Sequence, residues 1–226
     1  MLLSLVCGYF GEAFVPSKLV VANDAAATAA NIAASTTFFR IGFASYLVEA
    51  ICDVTLALVF YVLLKRVDEN IALLSAFFGL LATATYAVAE LFFFGALVVL
   101  RNSTALAAFS ADQINALVLL LTKLFGNAGW VFLAFYGIAT GLRGYLIYRS
   151  GYIPKVFGLL FMIAGAGFVA KNLTFVLAPA YASNALLLPM ALAGLALMLW
   201  FLFRGIAGAT TASGPAMAAA GARDDA

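Results

Sequence analysis

The chain has 226 residues, of which 66% are hydrophobic and 10% charged, with a formal net charge of +2 and a mean hydropathy of +1.11. So few charges cannot cover a water-facing surface, for which about a quarter is usual, and the near-neutral balance leaves no basic footprint for nucleic acid. The absence of histidine removes histidine-ligated haem, histidine-containing metal sites and any serine–histidine or cysteine–histidine nucleophile pair.

The apolar runs exceed the roughly 20 residues that cross a bilayer. They are apolar on every side rather than alternating, so helices are the spanning element. The sequence therefore predicts an all-α polytopic membrane bundle of about six transmembrane helices over residues 1–204, followed by a disordered cytoplasmic tail over 205–226. The first span, residues 2–15, ends at Pro16-Ser17-Lys18 and is short for a crossing, so either it tilts little and thins the bilayer or the true start lies upstream. Its beginning carries no basic residue and so does not read as a signal peptide. Residues 19–39 are only moderately apolar. Asp24 before Ala25-Ala26-Ala27 marks a helix cap, and a short external helix is expected there.

Span two covers 41–64 and closes at Lys65-Arg66. Span three covers 71–100 and closes at Arg101. Ser110 with Gln113 has capping-box spacing and opens a helix reaching Tyr148, longer than a bilayer is thick. Gly151 and Pro154 separate it from span five, residues 156–177. Pro179 and Ser183-Asn184 turn the chain into span six, residues 186–203. Cys7 and Cys52 fall inside apolar segments and are expected to be buried, inert thiols.

Orientation follows the excess of Lys and Arg. Lys65, Arg66, Arg143, Arg149, Lys155, Arg204 and Arg223 fall on one side, and Lys18, Arg40, Arg101 and Lys123 on the other. The first group marks the cytoplasm and predicts an N-in/C-in arrangement in a plasma membrane. Tyr145, Tyr148, Tyr152 and Trp200 lie at the inner interface. The clustered basic residues there set topology or attract anionic lipid heads.

The run Gly144-Tyr145-Leu146-Ile147-Tyr148-Arg149-Ser150-Gly151-Tyr152-Ile153-Pro154-Lys155, followed by Gly158, resembles a signature of a bacterial membrane family, domain of unknown function 4386. Asp24, Thr28, Asn31, Ile32, Phe39-Arg40, Asp53, Tyr61 to Leu64, Gly129-Trp130 and Phe135-Tyr136-Gly137 are similar to its other recurrent pieces. The resemblance spans nearly the whole chain and implies fold and membrane location; it implies no activity.

Ionisable groups inside a bilayer cost about 2.5–3.5 kcal/mol each on insertion scales and call for a functional explanation. Here they are Glu12, Glu49, Asp53, Glu90 and Lys171, with Lys123 near a boundary. Glu49 and Asp53 are four residues apart and share a helix face with Tyr46, Ser45 and Gly42. By helix rise, Glu49 and Lys171 each lie about 22 Å from the inner boundary and Asp53 about 16 Å. The candidate binding cluster is Glu49, Asp53, Glu90, Lys171, Asn127, Arg40 and Lys123, with Trp130 and Asn172 beside it, in the outer half of the bundle. Glu49 is expected to pair with Lys171. Asp53, with no basic residue at its own depth, is expected to hold a proton or exchange one with a bound solute.

Two functions fit. One is an outward-open polar pocket that binds or transports a small solute, ion or proton. The other is a structural or assembly protein whose buried charges only fix helix packing. No Gly-x-Gly-Asp motif is present, so catalysis is not expected, and neither metal nor cofactor is called for. The expected partners are the lipid bilayer, a small solute or ion, and a second copy of the chain. Gly137 and Gly141 form a G-x-x-x-G, and residues 164–167 a small cluster, for close packing within the bundle or between copies.

Overall fold

In the computed structural model, residues 1–102, 106–181 and 183–204 are described. The predicted tail, with Arg223, and Ser103-Thr104 lie outside them. The described chain is helical throughout: α1 (Leu2–Gly8), a π turn (Tyr9–Phe14), α2 (Val15–Leu19), α3 (Ala25–Ala34), α4 (Thr36–Leu64), α5 (Glu69–Arg101), α6 (Ala111–Ser150), α7 (Lys155–Leu177) and α8 (Leu188–Arg204). Two short 3-10 turns, Pro179–Tyr181 and Asn184–Leu187, connect α7 to α8. Five helices are long and apolar enough to cross a membrane: α4, α5, α6, α7 and the run through α8.

The sixth apolar helix is N-terminal, and here the expectation needs correction. Pro16-Ser17-Lys18 does not end it; α1, the π turn and α2 are continuous to Leu19. A proline inside a helix lacks one donor and crowds the carbonyl four residues earlier. The π turn just before Pro16 is wider, with Val15 N–H bonded to Phe10 O, five residues back. That extra residue takes up the proline's demand and the helix runs on, for about 27 Å in all.

This helix lies antiparallel along α4. Ser4 Oγ donates to Asp53 Oδ1 (2.7 Å) at one end, and Val15 packs on Gly42 at the other. A methyl on Gly11 would sit 2.8 Å from Gly42 O, so the two backbones meet where only glycine fits.

The other ends follow local chemistry. Asp24 caps α3 by accepting from Ala27 N (2.8 Å). Asp68 caps α5 by accepting from Ile71 N (3.0 Å), so α5 begins at Glu69 rather than at the end of the charged run. Ser110 and Gln113 form the anticipated capping box. Gly151, at φ 77°, closes α6. Tyr152 then donates to Leu63 O (2.5 Å), tying the loop after α6 to the end of α4 on the same face of the bundle.

The tightest helix pairing joins α6 to α7. A methyl on Gly137 would meet Gly165 O at 2.8 Å, and one on Gly158 would meet Gly144 O at 2.7 Å. The G-x-x-x-G of α6 is therefore used inside the bundle, against α7. Two apolar clusters fill the ends. Phe39, Phe93, Leu97, Val118 and Phe125 pack beneath α3, and Phe60, Leu64, Leu146, Ile147, Phe161 and Leu197 pack near the Lys65 and Gly151 loops.

Candidate functional site

Between these clusters the bundle does not close. A cavity of about 480 Å³ lies among α1, the π turn, α4, α5, α6 and α8. Three walls differ in chemistry. The first carries carboxyls: Glu12 from the π turn, and Glu49 and Asp53 one turn apart on α4. The second is a ladder of rings, Tyr46, Tyr86, Phe132 and Tyr136, with successive centroids 5.3, 5.1 and 5.0 Å apart. The third is the face of α8 bearing Met190, Ala191, Gly194, Leu195 and Met198.

The π turn positions the first wall. Its extra residue turns Glu12 into the cavity, whose lining it shares with Glu49 of α4 and Tyr86 of α5. Gly8 leaves room for Glu49, since any side chain there would overlap its carboxyl. Asp53 accepts from Ser4. Among the described residues, several buried polar atoms have no protein partner: the Tyr46 hydroxyl, on a side chain only 2% exposed, and Glu49 Oε2 in the cavity lining, and Glu90 Oε1 on α5.

Below Asp53 a smaller chamber of about 50 Å³ continues inward, lined by Asp53, Thr83, Tyr136, Met190 and Arg143. Arg143 was expected at the cytoplasmic surface. It is instead buried at 6% exposure, its guanidinium 4.6 Å from the Phe60 ring and its Nε without a partner. The sequence did carry a signal. Arg143 precedes Arg149 by nearly two turns, with the apolar run Tyr145 to Tyr148 between them, so its Cα lies within the apolar layer.

The predicted cluster is only partly assembled. Glu49 and Asp53 face the cavity together, and Glu90, 2% exposed, stands one turn from Tyr86 on α5 and does not line the cavity. Lys171 does not pair with Glu49. Its Nζ donates to Asn184 Oδ1 (2.8 Å) and lies 4.6 Å from the Trp130 ring centroid, while Asn172 donates to Trp130 O (2.6 Å). Equal depth was a poor guide because α7 faces α6 and the turn into α8, whereas Glu49 faces α1. Asn127, Arg40 and Lys123 are exposed on the outside of the bundle, and Lys123 donates to Asn23 (3.2 Å). Their helix faces point away from the cavity. The aromatic ladder and the α8 wall were missed, because rings and methionines in an apolar span read as ordinary core.

The chain belongs to the family described as Domain of unknown function (DUF4386), whose profile matches residues 1–205. An uncharacterised protein of Archaeoglobus fulgidus is 31% identical over 123 residues, which make up 54% of this chain and 60% of the relative. The aligned stretch thus spans less than two thirds of that relative's length. No solved structure matches.

Proposed function

We propose that this DUF4386 protein is a plasma-membrane protein that binds a small solute in the cavity bounded by Glu12, Glu49, Asp53, Tyr46 and Tyr86, as a transport or binding component with its termini in the cytoplasm. One observation carries the reading: among the described residues, buried polar atoms of the cavity lining, the Tyr46 hydroxyl and Glu49 Oε2, have no protein partner, and neither has Arg143 Nε in the smaller chamber. A cluster that only fixes packing would be dry and fully paired, since an unpaired buried polar group costs about 1–3 kcal/mol. A volume of about 480 Å³ is that of a ligand site rather than of a packing defect.

The test is thiol reactivity in a background with Cys7 and Cys52 replaced by alanine. Maleimide reacts with thiolate, which forms only where water reaches. Ala191→Cys, on the cavity wall, is expected to react with N-ethylmaleimide in membranes, whereas Ala139→Cys, at 0% exposure, stays unmodified. Equal inertness of the two, with a Glu69→Cys control labelled, removes the pocket.

A further inference from the structure

The cavity's chemistry selects among solutes. Three carboxyl side chains, Glu12, Glu49 and Asp53, line it, against one side-chain cation, Arg143, which lies in the smaller chamber beside Asp53; Met1 also borders both spaces at that end. Lys171 is turned to Asn184 and Trp130. Among the described residues, no cationic side chain lines the Glu12 and Glu49 end of the cavity, in a medium where carboxylates are costly. A ligand carrying positive charge relieves that.

Two further features narrow the ligand. Among the described residues, no three acidic or cysteine side chains converge as metal ligands do. Next to the carboxyls stands the ladder of four rings. Ring faces attract alkylammonium groups, and carboxylates beside aromatic faces are the combination that recognises them. The 2%-exposed Tyr46, its hydroxyl unpartnered, lies at the junction of the acidic and aromatic walls.

The way in is lateral. α1 packs on α4 and α8 packs on α7, and among the described residues α1 and α8 share no extensive interface. Leu5 of α1 and Leu195 of α8 line the cavity and are 53% and 46% exposed on the lipid-facing surface. These two exposed apolar side chains put a rim of the cavity between the two helices on the surface that would face the hydrocarbon layer.

We propose that the cavity takes an amphipathic organic cation, admitted from the bilayer between α1 and α8, with its charged centre between Glu12, Glu49 and the Tyr46 ring and its apolar body along the methionine face of α8. The assignment rests on the pocket reading above and names its ligand class.

Tetraphenylphosphonium and tetraphenylborate form a matched pair, alike in shape and opposite in charge. Equilibrium binding of radiolabelled tetraphenylphosphonium to the full chain in lipid nanodiscs is expected to saturate at one per protein and to protect Ala191→Cys from N-ethylmaleimide. Tetraphenylborate is expected not to compete. Glu49→Gln and the double variant Glu12→Gln/Glu49→Gln, each confirmed monodisperse and folded, should weaken binding by at least about tenfold. If the borate binds as well and the Gln variants are unchanged, or if no saturable phosphonium binding is found, the cation assignment is overturned. In either case a reactive Ala191→Cys leaves the pocket itself standing, whereas an inert Ala191→Cys removes both.

Discussion

Tyr46 separates the two functional readings with one atom. Its hydroxyl is buried without a hydrogen-bond partner, so for stability alone it is a liability. Tyr46→Phe is expected to leave the melting temperature unchanged or raised, because it deletes an unpaired polar group worth about 1–3 kcal/mol, while weakening cation binding. A marked loss of stability would show that the hydroxyl has a structural partner. Lys171 gives the converse case. Read from sequence, its removal strands a carboxylate. In the fold it faces only Asn184 and a tryptophan ring, so Lys171→Met leaves no buried opposite charge behind. Its expected effect is no more than about 1 kcal/mol, as for a volume-conserving change. A loss of several kcal/mol in detergent unfolding would restore the ion-pair view.

At the scale of helices, two close approaches do different jobs. The α6–α7 seam is structural, and a methyl at Gly158 would lie 2.5 Å from Tyr148 N and 2.7 Å from Gly144 O. Those are backbone atoms that cannot rotate away. Gly158→Val is therefore expected to destabilise by about 3 kcal/mol or more, while Gly126→Ala, with open space around it, should be neutral or stabilising through helix propensity. Equal thermal melts for the two would contradict the seam. The crossing of the N-terminal helix over α4 instead builds the site. There the π turn and Gly8 bring Glu12 and Glu49 together. Deleting Ala13, which restores regular α-helical spacing, is expected to rotate Glu12 out of the cavity and to place Pro16 against an intact turn. Loss of phosphonium binding with altered N-terminal proteolysis is the expected readout, and unchanged binding would deny the π turn its role.

For the whole molecule, topology is the open quantity that charge predicts. The loop after α4, with Lys65 and Arg66, and the loop after α6, flanked by Arg149 at the end of α6 and Lys155 at the start of α7, lie at one face, joined by Tyr152 and Leu63. Reporter fusions within 65–68 and within 151–154 are expected to behave as cytoplasmic. Periplasmic activity at either would invert the bundle and move the Arg143 chamber to the outer half.

What the sequence determined by itself was everything that depends on local chemistry and bulk solvent preference. Apolar runs dictated spanning helices, because unpaired backbone is intolerable in lipid. Asp24 and Ser110 marked helix starts through hydrogen bonds that reach only a few residues along the chain, and Gly151 and Pro154 marked the break between α6 and α7 through their backbone torsions. Glu49 and Asp53 were legible as a pair because four residues is one helical turn. Tertiary structure alone decided which faces meet. Depth along each helix can be counted from sequence, but the azimuth of one helix against another is fixed by packing of side chains far apart in the chain. For that reason Lys171 left Glu49 for Asn184, Asn127, Arg40 and Lys123 ended outside, Glu12 entered the cavity, and Arg143 entered the smaller chamber beside it. The π turn, a one-residue departure from regular spacing, set the azimuth of Glu12, and no periodicity counted along the chain could have shown it.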